Sequence, residues 1–241
     1  MVKNHSSRPR SSSVDRYLHA VLVLTASGGQ ADTGDVAARV GVSAAGASQM
    51  LRKLADAGLV RLEPYQGAEL SAEGMHRALR VVRRHRLLEL FLQQILGFDL
   101  AELHARAMAL EPAIDDVFEE KLDSMLGRPR IDPHGQPIPS RNATWPKLSD
   151  SALLELPPGA SGIVTRVTTE DSDAIEYLHG LGVRPGAALA LEHVAPFDGP
   201  LTIRLEGRPV HLGRVLAQAI HVAEAPTSKR DGPRARLVKA R

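Results

Sequence analysis

His85 and Glu89 stand four residues apart, and His104, Met108 and Glu111 follow at spacings of four and three. On a helix such spacings put side chains on one face. Two helices of this kind, joined by a short turn near Gly97, would bring imidazoles and carboxylates together around a divalent ion. The set contains no thiolate. It suits Mn(II) or Fe(II), with Zn, Co and Ni as competitors in the general affinity order, and the thioether of Met108 leans toward Fe(II) or a heavier metal. The same spacings also describe an ordinary helix-surface His–Glu pair, a half-buried histidine and a core methionine. Pattern alone leaves both readings open.

A second group of residues suits DNA. Residues 14–70 read as helix, short helix, turn, helix and hairpin, with "VGVSAAG" as the turn between the second and third helices. That is a helix-turn-helix followed by a β-wing. Ser43 is the expected N-cap of the third helix, leaving backbone N–H groups free to face a phosphate. Small residues around Ala45 let that end approach base edges, and Ser48 and Gln49 offer hydrogen bonds, Gln being a bidentate reader of adenine. Arg52 and Lys53 one turn later, and Arg61 and Gln66 in the wing, are placed for phosphates. The competing reading is a scaffold unit, because residues 13–70 hold five basic against six acidic side chains, a weak balance for DNA.

Local signals supply the elements that would carry these residues. Apolar spacing predicts a first helix from Val14 to Ala26, a short one from Thr33 to Val40, and a third from Ser43 to Ala57 ended by Gly58. "LVRLE" and "GAELS" predict a hairpin. A long helix follows from Ser71 to Leu96, another spans Leu100–Leu110, and Pro112 is expected to open a further helix. Gly127 to Pro139 reads as a Pro-rich connector. Beyond Ser161 the sequence changes to short β-type runs punctuated by Gly and Pro, the pattern of a small all-β barrel.

Composition bounds the rest. The net charge of +2 divides into +3 over residues 1–12, +5 over 229–241 and −6 over the body between. Basic character belongs to the ends, and the body is suited to gathering cations. Cysteine is absent and aromatic residues make up 3%, which excludes thiolate chemistry and argues against base-stacking platforms. No apolar run approaches the roughly 20 residues a bilayer span needs, and the polar start is no secretory signal. A cytoplasmic protein is expected.

The stretches "AARVGVSAAGASQMLRKLADAGLV", "LSAEGMHRALRVVRRHRLLELFL", "ILGFDLAELHARAMALE" and "DPHGQPIP" together resemble the diphtheria-toxin-repressor family of metal-dependent transcriptional regulators over about residues 14–224. The resemblance implies a mainly α protein with a small β domain: a winged helix-turn-helix (13–72), an all-α metal-binding and dimerisation domain (73–140), a linker (141–150) and a C-terminal SH3-like, FeoA-like β-barrel (151–224). Residues 1–12 and the basic tail 225–241 are expected to be disordered. The resemblance further implies a homodimer that binds operator DNA when loaded with Mn(II), or alternatively Fe(II), and controls metal-uptake genes, with no catalytic role.

One metal site of the family matches His85, Glu89 and His104. Its barrel partners fall near residues 166–173, where strict register gives Arg166 and Thr169 and a shifted register gives Glu170 or Asp171. At the family's second site, Arg16 and Pro112 stand at ligand positions and supply no donor. That site is therefore lost, or rebuilt from His19, Met108 and Glu111 with Asp15. Leu87, Leu88, Phe91, Leu92, Val117, Phe118 and Leu122 are candidates for the dimer core or for an internal one. The competing function is a winged-helix regulator of an organic ligand, in which the His/Glu cluster is structural.

Overall fold

The computed structural model describes residues 12–26, 29–63 and 67–224. The expectations for the two chain ends, apart from Ser12, and for Gln66 lie outside those residues.

The winged head forms where the local signals place it. Helices α1 (Ser12–Ala26), α2 (Thr33–Val40) and α3 (Ala44–Asp56) are followed by the antiparallel strands β1 (Val60–Glu63) and β2 (Gly67–Leu70). Asp32 caps α2 by accepting from the Asp35 N–H, and Gly41 ends it with φ 74°, a left-handed conformation that favours glycine. Ser43 caps α3 through the Gly46 N–H. Leu18, Val21, Val36, Ala47, Leu51 and Leu54 fill the core between these helices.

Ser71 opens α4 (Ala72–Gln94), accepting from the Gly74 N–H at 3.0 Å. A Cβ at Gly74 would lie 1.8 Å from the Leu59 carbonyl oxygen, so the close approach of α4 to the wing requires glycine. Gly74→Ala is expected to destabilise the fold by at least about 1–3 kcal/mol, the usual range for overpacking. A fall in the urea midpoint at unchanged slope checks this.

Helix α5 (Leu100–Leu110) starts in a capping box made by Asp99 and Glu102 and packs Leu103 and Ala107 into a cluster with Leu88 and Leu92. Pro112 does not open the next helix. It sits in a single 3-10 turn, Glu111–Ala113; Ile114 is extended, and α6 (Asp116–Met125) is opened instead by Asp115, which accepts from the Phe118 N–H. Two arginines of α4, Arg83 and Arg84, are buried together with Glu119 and Asp123 of α6. Of the apolar residues considered for a dimer core, Leu87, Leu88, Leu92 and Leu122 are buried within this helical unit, whereas Val117 and Phe118 are exposed at 69% and 49%.

The described residues divide into two compact units, the first comprising those up to residue 148 and residues 168–180, the second residues 149–167 and 181–224. The second unit carries β3 (Ser151–Ala152), β4 (Ser161–Val167), β5 (Ala188–Val194), β6 (Leu201–Leu205), β7 (Arg208–Leu212) and β8 (Ile220–Glu224) in one antiparallel sheet, ordered β3-β8-β4-β5-β6-β7. Inside it, Arg166 pairs with Asp150 at 2.9 Å. Two helices interrupt the expected run of strands: α7 (Ser172–Gly180) and the short α8 (Arg214–Gln218). Helix α7 belongs to the first unit and packs on α5. Asp171 starts it, accepting from the Asp173 and Ala174 N–H groups. No helix among the described residues is long and apolar enough to cross a membrane.

Candidate metal centre

His85 and Glu89 lie one turn apart on α4, and His104 faces them from α5, as the spacing requires. His85 Nε2 is 3.1 Å from Glu89 Oε1 and 3.1 Å from His104 Nδ1. Ligands at about 2.1 Å and right angles around one ion stand about 3.0 Å apart, so these separations fit shared coordination. All three donor atoms lie within 4.8 Å of one another. Helix α1 brings His19 to the same place, its ring 6.2 Å from that of His85. The segment before α7 brings Glu170, whose carboxylate is 3.8 Å from His19 Nε2 and 4.0 Å from His104 Nε2. The hollow bounded by His19, His85, Glu89, His104 and Glu170 has a volume of about 30 Å³. That is room for one ion or water molecule, far below the hundreds of Å³ an organic ligand needs.

The electrostatics fit a cation. Burial lowers His19 and His85 from 6.5 to about 4, against the opposing pull of Glu170. Burial, then the charge of His85, lowers His104. The imidazoles are thus neutral at pH 7, with lone pairs available. Burial alone would raise Glu170, but His19, Arg39, His104 and His85 together hold it below its ordinary value. Glu89, buried deeper, is raised. His85 Nδ1 is buried with no hydrogen-bond partner among the described residues and lies 3.9 Å from Glu111 Oε2. A metal-bound imidazole commonly directs its other N–H at such a carboxylate. The donor set and the orphaned nitrogen therefore suit a divalent ion of the N/O-preferring kind.

Without an ion, the lowered histidines make the fold acid-sensitive. Their folded-state values lie below 6.5, so the unfolded chain binds more protons between that pH and about 4. Stability is full above about pH 6.5 and is lost as the pH falls toward about 4. The melting midpoint of chelated protein is expected to drop across that window, and His19→Gln is expected to flatten the drop.

The three parts of the chain match known families. Residues 11–68 match the iron dependent repressor N-terminal DNA binding domain, residues 71–140 the iron dependent repressor metal binding and dimerisation domain, and residues 152–224 the FeoA domain. The iron-dependent repressor IdeR of Mycobacterium tuberculosis is 30% identical over 221 residues, covering 86% of this chain and 95% of its own. The chain belongs to the diphtheria-toxin-repressor family of metal-dependent transcriptional regulators. The diphtheria toxin repressor of Corynebacterium glutamicum is 31% identical over 218 residues, covering 86% and 94%. Among solved structures, a manganese-dependent transcriptional repressor in complex with manganese superposes with a TM-score of 0.80 at 34% identity, covering 88% of this chain and all of its own.

Within this family member, the expected site residues divide. His19, His85, Glu89, His104 and Glu170 line one hollow. Met108 lines an adjoining one of about 70 Å³ with Arg16, His19, Arg39 and Glu170. Glu111 is buried behind His85. Asp171 is not brought in, because its carboxylate caps α7. Asp15 is not brought in either; it pairs with Arg77 at 2.7 Å. Arg16 donates to the Val40 carbonyl at 2.5 Å. Arg39, which the sequence reading missed, forms an ion pair with Glu170. Asp132, His134 and Gln136 of the connector also line the ion-sized hollow. "DPHG" shows a His and an Asp in a turn, and only the fold shows which way they face.

On α3, Ala47, Leu51 and Leu54 are buried, while Ser43, Ala45, Gln49, Arg52 and Lys53 are exposed and Ser48 is half-buried. Arg61 in the wing is exposed, and it, Arg52 and Lys53 make no ion pair among the described residues.

Proposed function

We propose that this chain is a transcriptional repressor that grips operator DNA as a homodimer when Mn(II), or alternatively Fe(II), fills the centre of His85, Glu89 and His104, and that it controls metal-uptake genes in the cytoplasm. The observation that carries the reading is the convergence of three neutral imidazoles and two carboxylates on a hollow of about 30 Å³. The N/O donors support Mn(II) ahead of softer-preferring metals. The same volume speaks against an organic effector at this place.

A bound divalent ion supplies positive charge and directional bonds that relieve the buried Glu89. The chain's own residues turn that into a signal. His85 and Glu89 fix the centre to α4, and His104 fixes it to α5. His19 carries it into α1, which packs on α2, and α2 packs on α3. Ser43, Ala45, Ser48 and Gln49 are proposed to meet base edges or phosphates at the start of α3, with Arg52, Lys53 and Arg61 on the backbone. Val117, Phe118 and Met125, exposed on α6, are proposed to join the dimer contact. His85, Glu89 and His104 would hold the ion, and the arrangement of α1, α4 and α5 in which they do so best would gain population. The role is binding, not catalysis.

The test is operator retention by full-length protein stripped with chelator, then titrated with Mn(II), Fe(II) and Zn(II) on labelled uptake-promoter DNA. Binding restored at the lowest concentration by Mn(II) supports the reading. Equal binding by stripped and loaded protein overturns it.

A further inference from the structure

The connector between α6 and the second unit presents an imidazole to the metal centre. Asp132 Oδ1 accepts from the backbone N–H groups of His134 and Gln136, both at 2.8 Å, and the Asp132 N–H donates to the Gln136 carbonyl at 2.9 Å. Arg86 of α4 clamps the turn, donating to the Pro137 carbonyl and to Gln136 Oε1. These bonds brace the turn, in which His134 is 7% exposed. Its Nε2 is buried without a hydrogen-bond partner among the described residues and lies 3.9 Å from Glu89 Oε1, and His134 is one of the residues that line the ion-sized hollow. A buried polar atom left unpaired in this way asks for a reason.

Proton bookkeeping supplies one. Glu89 Oε1 lies 3.1 Å from His85 Nε2, which donates to it only in the tautomer protonated at Nε2. When His85 Nε2 offers its lone pair to an ion it has no proton to give, and Glu89 loses that hydrogen bond. His134 Nε2 lies 3.9 Å from the same oxygen. We infer that His134 is a positioning residue of the metal centre: it donates from Nε2 to Glu89 and holds that carboxylate ready for the ion, with the same ligand set in its presence or absence. The inference rests on the metal-centre reading above. Partners of this kind outside the ligand shell typically change metal affinity 10–100-fold when removed.

The test uses full-length protein and Co(II) and Mn(II) alone, comparing wild type, His134→Ala and His134→Gln. Glutamine places an amide N–H near where Nε2 stands, so it keeps the donor without the ring. The alanine variant is expected to bind both metals 10–100-fold more weakly and the glutamine variant within a few-fold of wild type. The visible spectrum of saturated Co(II) protein and the metal-free melting midpoint should both stay unchanged. Equal affinity in all three proteins overturns the inference. A changed Co(II) spectrum in the alanine variant overturns it in favour of direct ligation. Equal weakening in both variants with a lowered metal-free midpoint overturns it in favour of a packing role. Wild type that binds no metal defeats the metal-centre reading itself, a result distinct from all of these.

Discussion

Replacing His85 and His104 together by alanine is expected to abolish metal-dependent operator binding while leaving the winged head folded. The two rings supply the nitrogen donors that stand 3.1 Å apart at the heart of the cluster. Their removal takes both nitrogens from the cluster and leaves Glu89 without them, with Glu170 already paired to Arg39. Loss of partners outside the ligand shell costs up to about 100-fold in metal affinity, and loss of two donors inside it should exceed that. Equilibrium dialysis with Mn(II) reads the affinity, and anisotropy of labelled operator reads the response. The residual metal-independent DNA binding should match that of stripped wild type, because α3 and its Ser43 cap are untouched. An operator response that survives in the double variant would show that the effector binds elsewhere. It would return the organic-ligand reading to first place.

Glu119→Ala is expected to destabilise the protein by about 3–5 kcal/mol, the cost of breaking a buried ion pair from one side. Both oxygens of Glu119 are engaged: Oε1 accepts from Arg83 Nε at 3.0 Å and Oε2 from Arg84 Nε at 3.1 Å. Arg83 also reaches Asp123 at 2.9 Å and the Pro139 carbonyl at 3.0 Å. All four side chains are buried, so solvent cannot take over when the shared carboxylate goes. Against a typical total stability of about 5–15 kcal/mol, such a loss would leave little fold at 37 °C. Glu119→Gln keeps the volume and one acceptor and should fall between the two. Urea unfolding measures both, and a loss under about 1 kcal/mol for alanine would show that the network is no more than a surface-type pair. The network ties α4 to α6 and so keeps rigid the helix that carries His85 and Glu89.

Residue types and their spacing were enough for the head, the long helices and the pairing of His85 with Glu89. These rest on local chemistry: Ser43 and Ser71 cap their helices, Gly41 ends α2, and a spacing of four keeps His85 and Glu89 on one face whatever surrounds them. The change to strand-forming runs after Ser161 also marked the second unit. Local patterns stopped where packing decides. Helix α7 has only nine residues and lies among strand-like runs, so its return to the helical unit depended on the face of α5 that it covers. That return chose Glu170 over Asp171, neighbours that no residue pattern separates: one carboxylate meets His19 and Arg39, the other caps the helix. Tertiary structure likewise sent Asp15 to Arg77, aimed His134 at Glu89, and placed Leu87 and Leu122 in the interior rather than on a surface. Caps and periodicity act over one or two helical turns, whereas the partner of a buried charge is set by elements distant in sequence, and only the closed fold brings them together.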